Sequence, residues 1–136
     1  MIQRIQTLWL LVAVAAGLLS IKFPFYTGTL VVNNAYLSLT AAENIPIIIL
    51  TVLSVLISFV TIFLFKNRKQ QTNLTLLNIF ISIIIVVLYF LQLKNFSTGH
   101  FSLTSIFVFV LPIALIMTLI GVRRDEKVIR SLDRLR

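Results

Sequence analysis

The sequence has no cysteine, one histidine and only four acidic residues. Without cysteine there are no disulfides, no thiol redox chemistry and no thiolate metal ligands. His100 alone does not make a metal site, and Glu43, Asp125, Glu126 and Asp133 are the whole supply of carboxylates. Glu43 and His100 fall in separate loops, so a hydrolytic triad has no local support. Glycine is equally scarce, at four residues, and no GxGxxG pattern cradles a phosphate. These absences point away from an enzyme and from any cofactor or metal. Charge is also short. Charged residues make up 12% of the chain and apolar residues 59%, where roughly a quarter charged is usual in a soluble domain. A soluble chain of this size needs a charged surface, because most of its residues touch water.

What the sequence does have is four long apolar runs, at 5–21, 45–65, 75–91 and 101–122, with no Asp, Glu, Lys, Arg or His inside them. A helix rises about 1.5 Å per residue, so runs of ~17–22 residues cross a hydrocarbon core of ~30 Å. The expected fold is therefore an all-α integral membrane protein. It is a single domain over 1–136, a four-transmembrane-helix bundle with helices at about 5–23, 45–65, 75–91 and 102–122. Ala13-Val14-Ala15 imitates a signal-peptide cleavage site. The apolar stretch continues past it to Ile21, and the first run is expected to remain as a helix.

The net charge of +8 is mostly topology. Arg4 precedes the first run; Lys66, Arg68 and Lys69 separate the second from the third; Arg123, Arg124, Lys127, Arg130, Arg134 and Arg136 follow the fourth. With four crossings these segments share one side, and only Lys22 and Lys94 lie opposite. Basic residues near helix ends stay in the cytoplasm, so both termini are expected inside and the segments 22–44 and 92–100 outside.

Local signals mark the helix ends. Pro24 stops the first helix. Glu43 and Asn44 precede Ile45-Pro46, where proline suits a first turn and an acid complements the helix dipole. Thr72 or Asn73 is placed to cap the third helix. Trp9, Phe23, Phe25, Tyr26 and Tyr89 lie near run ends, where aromatic belts form. The first outer loop has two β-prone stretches around Asn33-Asn34, the pattern of a small hairpin.

Hydroxyl and small residues form stripes on the helices. Thr51, Ser54, Ser58 and Thr61 fall within an arc of ~80°, and Thr75, Asn78, Ser82 and Tyr89 within ~60°. Ala13, Ala16, Gly17 and Ser20 share one side of the first helix, and Ala114, Thr118 and Gly121 align in the fourth. Lipid is as apolar as leucine, so small residues and polar bonds must drive helix association. The expected helix-packing residues are thus Ala13, Gly17, Ser20, Thr51, Ser54, Ser58, Thr61, Thr75, Asn78, Ser82, Thr118 and Gly121, with Pro112 kinking the fourth helix. Against this stands a second reading, in which Ser and Thr bond the carbonyl four residues back and do nothing between helices. A polar solute pathway is a third, but such pathways carry ionisable groups within the membrane, and the runs have none.

The tail 123–136 is amphipathic. Val128, Leu132 and Leu135 follow i, i+4, i+7 spacing, and Ile129 widens that face. Arg123, Arg124, Lys127, Arg130, Arg134 and Arg136 are its candidate surface for the membrane or for a partner. The tail can lie on anionic lipid headgroups, extend the fourth helix, or dock on a cytoplasmic protein. Nucleic acid is not an expected partner, because no aromatic platform or binding fold accompanies the charge.

The opening MIQRIQTLWLLVA, the four crossings, the Phe23-Pro24-Phe25 after the first helix and the short basic tail together resemble domain-of-unknown-function family 4293, found mainly in Bacteroidota. The resemblance runs over essentially the whole chain, and Met1 to Thr7 is its most specific part. It implies a bacterial inner-membrane protein without assigned activity, and carries over no catalytic or ligand residue. The function expected from all of this is a non-enzymatic accessory or scaffold subunit of a membrane complex, partnered by the lipid bilayer and by another membrane protein or further copies of itself. The alternative is a small oligomeric carrier or flippase for an apolar or lipid-like solute.

Overall fold

A computed structural model describes the backbone of residues 2–136 and the side chains of residues 5–136. Four helices form in chain order: α1 at Ile2–Lys22, α2 at Ile45–Phe63, α3 at Arg68–Gln92 and α4 at Ile106–Arg134. Each neighbour in sequence is a neighbour in space. α1 packs on α2 and α4, and α3 packs on α2 and α4, which closes the ring. The turn at 64–67 joins α2 to α3 directly, and the longer connections at 23–44 and 93–105 complete an up-and-down arrangement. All four helices are long and apolar enough to cross a membrane.

Two helix bounds depart from the sequence expectation. α3 starts at Arg68 rather than near residue 75. Arg, Lys and Gln are strong helix formers, so the basic segment winds into the helix and leaves only residues 64–67 as a turn. Thr72 consequently caps nothing: its hydroxyl donates to the Arg68 carbonyl at 2.9 Å inside the helix. At the other extreme, α4 does not stop at Val122. It runs without a break through Pro112 and on through the basic tail to Arg134. At 29 residues it is about 43 Å long, against about 28 Å for the 19 residues of α2.

A small sheet closes one end. β1 (Tyr26–Leu30) and β2 (Tyr36–Leu39) form the hairpin that the segment around Asn33-Asn34 suggests. They pair antiparallel with Tyr26 opposite Leu39 and Thr29 opposite Tyr36. Asn34 turns the chain with φ of 49°, a left-handed conformation that asparagine tolerates better than most residues. A third strand, β3 (Phe96–Phe101), has no counterpart in the sequence reading. It pairs antiparallel with the far edge of β1, giving the order β2-β1-β3. Gly28 and Gly99 sit opposite one another. A Cβ on Gly28 would lie 2.2 Å from the Thr98 carbonyl oxygen, so the two strands meet only because both residues lack one.

Under the sheet lies an apolar core of Phe25, Leu39, Ala41, Ile47, Ile81, Ile85, Tyr89 and Val108. The Phe25 ring is 4.5 Å from that of Tyr89 and 5.7 Å from that of Phe101. Phe25 and Tyr89 are thus buried against each other. A second cluster, Leu10, Ala13, Ala16, Leu111, Ala114 and Leu115, joins α1 to α4 further along the bundle.

Candidate functional site

Along α2 and much of α3, polar side chains turn inward and large apolar ones turn outward. In α2 the buried residues are Ile47, Thr51, Ser54, Ser58 and Thr61, so only one of them is apolar. Meanwhile Ile49, Leu56, Phe59 and Phe63 on the same helix are more than half exposed. α3 repeats the pattern: Thr75, Asn78 and Ser82 are each 1% exposed, and Phe80 is 67% exposed. In a protein surrounded by water this arrangement leaves apolar surface wet and removes polar groups from solvent, both at a cost.

The buried hydroxyls bond mostly within their own helices. Thr51 donates to the Ile47 carbonyl at 2.7 Å, Thr61 to Ile57 at 2.6 Å, Thr75 to Gln71 at 2.8 Å and Thr118 to Ala114 at 2.9 Å. Ser20 and Ser82 reach three residues back, to Gly17 and Ile79, each at 2.7 Å. The stripes are buried, and their threonine hydroxyls bond the carbonyl four residues back. The cross-helix bonds come from amides. Asn78 Nδ2 donates to Ser58 Oγ at 2.7 Å and to the Ser54 carbonyl at 3.1 Å, tying α3 to α2. Ser54 Oγ, Asn78 Oδ1 and the Tyr89 hydroxyl are buried with no hydrogen-bond partner among the described residues.

The small residues lie where backbones approach. Ala13 is buried between α1 and α4. A Cβ on Gly17 would meet Val55 Cγ2 at 2.5 Å, and one on Gly121 would meet Gln6 Cγ at 3.0 Å. Pro112 is half-buried within unbroken helix. On the tail, Arg123, Arg124, Lys127, Arg130, Arg134 and Arg136 are all exposed. Arg123, Lys127, Arg130 and Arg134 share one side, where Arg130 pairs with Glu126 at 2.7 Å. Val128, Ile129 and Leu132 lie away from that basic side and are 40–59% exposed.

Sequence reasoning missed a polar cluster at the end of the bundle opposite the sheet. Gln6, Gln71 and Asp125 are each buried to 5–7% exposure. Gln6 Nε2 donates a hydrogen bond to Asp125 Oδ2, joining α1 to α4. Gln6, Thr7, Phe65, Arg68, Gln71, Val122 and Asp125 line a cavity of about 20 Å³. In the sequence Asp125 counts only as one of the four carboxylates. Its position gives it away, since Ala114, Thr118, Val122 and Asp125 lie on one helix face at spacings of four, four and three. Gln6 likewise heads the face of Leu10, Ala13 and Gly17.

At the sheet end, His100 is exposed on β3, with Nε2 3.4 Å from Thr27 Oγ1. Glu43 follows β2, which lies on the other side of the central strand from β3. Among the described residues no group of three or more His, Cys, Asp or Glu is gathered as a metal site would need.

The family model described as Domain of unknown function (DUF4293) matches residues 2–135. No curated protein matches the chain, and no solved structure does.

Proposed function

The chain belongs to the DUF4293 family, and from that premise we propose that it is a multi-pass protein of the bacterial inner membrane, with both termini in the cytoplasm, that serves as a non-enzymatic accessory or scaffold subunit of a larger assembly. The membrane part rests on one observation above all: α2 buries Thr51, Ser54, Ser58 and Thr61 and turns Ile49, Leu56, Phe59 and Phe63 outward. In hydrocarbon the sense of that distribution is favourable, because the outward face is solvated by lipid and the small polar face lets helices close up. The orientation rests on the basic residues gathered near the α2–α3 turn and beyond Val122, against Lys22 and Lys94 at the other end.

The subunit part rests on α4. It is about 15 Å longer than a single crossing by α2 requires, and the surplus carries an apolar side and a basic side. A continuous helix that projects from the bundle does not lay its apolar side along the bilayer plane. Val128, Ile129 and Leu132 are therefore offered to a protein surface, with anionic lipid headgroups within reach of the basic residues nearest the bundle.

The test is affinity purification of the tagged full-length chain in mild detergent, with mass spectrometry of what co-purifies. A defined membrane partner retained by the native chain and lost from an I129E/L132E variant supports the reading. Recovery of the chain alone, from both, contradicts it. Uptake of a lipid-like solute by vesicles containing only this chain would replace the subunit reading with the carrier.

A further inference from the structure

We propose that Asp125 and Arg68 hold one ordered water molecule between them, so that a water-bridged ion pair, braced by Gln6, ties α4 to α3 and α1 where α4 leaves the bundle. Three observations converge on the same spot. Asp125 is 7% exposed, and although its Oδ2 accepts from Gln6, its Oδ1 is buried with no hydrogen-bond partner among the described residues. Arg68 Nη1 is in the same condition. Both residues line the cavity of about 20 Å³.

A charged oxygen and a charged nitrogen removed from solvent without partners are each costly, so some group must satisfy them. The cavity decides which. A water needs roughly 10–15 Å³ of such space and two to four polar partners, and this cavity offers the volume for one water and no larger ligand. The carboxylate accepts, the guanidinium donates, and Gln6 and Gln71 on the same wall supply further polar groups. The opposed charges of Asp125 and Arg68 leave the site neutral, which favours neither a cation nor an anion. A neutral molecule that donates to Oδ1 and accepts from Nη1 is what the geometry requires.

The consequence is mechanical. Gln6 belongs to α1, Arg68 and Gln71 to the first turns of α3, and Asp125 to the point at which α4 passes beyond the bundle. A bridge there fixes the direction in which the tail projects, whatever the tail then contacts.

The direct experiment is a high-resolution structure of the full chain in a lipid environment. The expected result is one ordered water about 2.8 Å from both Asp125 Oδ1 and Arg68 Nη1. A direct Arg68–Asp125 contact, or a dry cavity, overturns the proposal. Melting of the purified chain in detergent supplies a second arm. D125N and R68Q should each lower the melting temperature by about 3–5 °C, and the double variant should fall little further than the worse single. Loss of the Gln6 bond enters both legs of that cycle and cancels, so additive losses count against the bridge. Should D125N not fold, V122L still decides, because its longer side chain takes volume from the cavity and alters no polar group. Displacing the water lowers the melting temperature, and a rise shows that the cavity was dry.

Discussion

The two ends of the bundle are closed by different chemistry. At one end a three-stranded sheet lies over Phe25, Tyr89 and Ile85, and the chain crosses itself repeatedly: Phe25 N–H bonds the Leu39 carbonyl at 2.7 Å, and Ser102 N–H bonds the Phe25 carbonyl at 3.2 Å. At the other end Gln6, Arg68, Gln71 and Asp125 meet around a small cavity, and one helix continues outward. The first end is a lid built from backbone pairing between segments about 70 residues apart and from aromatic packing. The second is a clasp of a few side chains that leaves a surface available. Closure by backbone is hard to modulate and suits a fixed cap. Closure by side chains is more easily altered.

That contrast is open to mutation, beginning with the largest effect. Gly28→Val at the sheet end drives a side chain into the Thr98 carbonyl, which lies 2.2 Å from where Cβ would be. Backbone cannot yield as a side-chain tip can. The cost is about 3 kcal/mol or more, seen as loss of the folded monodisperse peak in detergent and as proteolysis of the 26–39 segment. Next, Asn78→Leu removes the bonds to Ser58 and the Ser54 carbonyl that join α3 to α2. Interhelical bonds in membranes average about 0.6 kcal/mol, and leucine overfills a site shaped for an amide. A loss of about 1–2 kcal/mol is expected in reversible unfolding, with Asn78→Gln no substitute because its longer arm overshoots. Smallest is Glu126→Gln on the projecting tail. Its pair with Arg130 is an exposed i, i+4 contact, worth about 0.3–0.5 kcal/mol, so melting should not move measurably. An unaltered G28V, or an E126Q that melts far below the native chain, would erase the distinction between cap and clasp.

The helices were legible in the sequence for a simple reason. Their hydropathy is a sum over many residues, and their stripes repeat every 3.6 positions, so no single residue has to be read correctly. Thr51, Ser54, Ser58 and Thr61 were identifiable as one face before any coordinate, and so was the hairpin around Asn34. What was not legible depends on partners distant in the chain. FSTGHF reads as a loop, because its one serine, its glycine and its histidine interrupt the strand-prone Phe and Thr residues. It becomes a strand because β1 presents an unpaired edge, and because Gly28 and Gly99 allow the two backbones to meet. The burial of Asp125 was hidden by its charge and by the basic residues on either side of it. Extending the stripe of Ala114, Thr118 and Val122 by one turn finds it. Arg68 was read as topology, which says on which side a residue lies and nothing of what it touches.

The account depends most on the two ends lying on opposite sides of a membrane, with the clasp inside. Since the chain has no cysteine, Asn34→Cys and Lys69→Cys each place a single thiol, one on the hairpin turn and one at the start of α3. A membrane-impermeant maleimide applied to intact cells should label the residue-34 thiol, and should label the residue-69 thiol only after the membrane is opened. Labelling of residue 69 from outside while residue 34 stays silent, or equal labelling of both in intact cells, would contradict it.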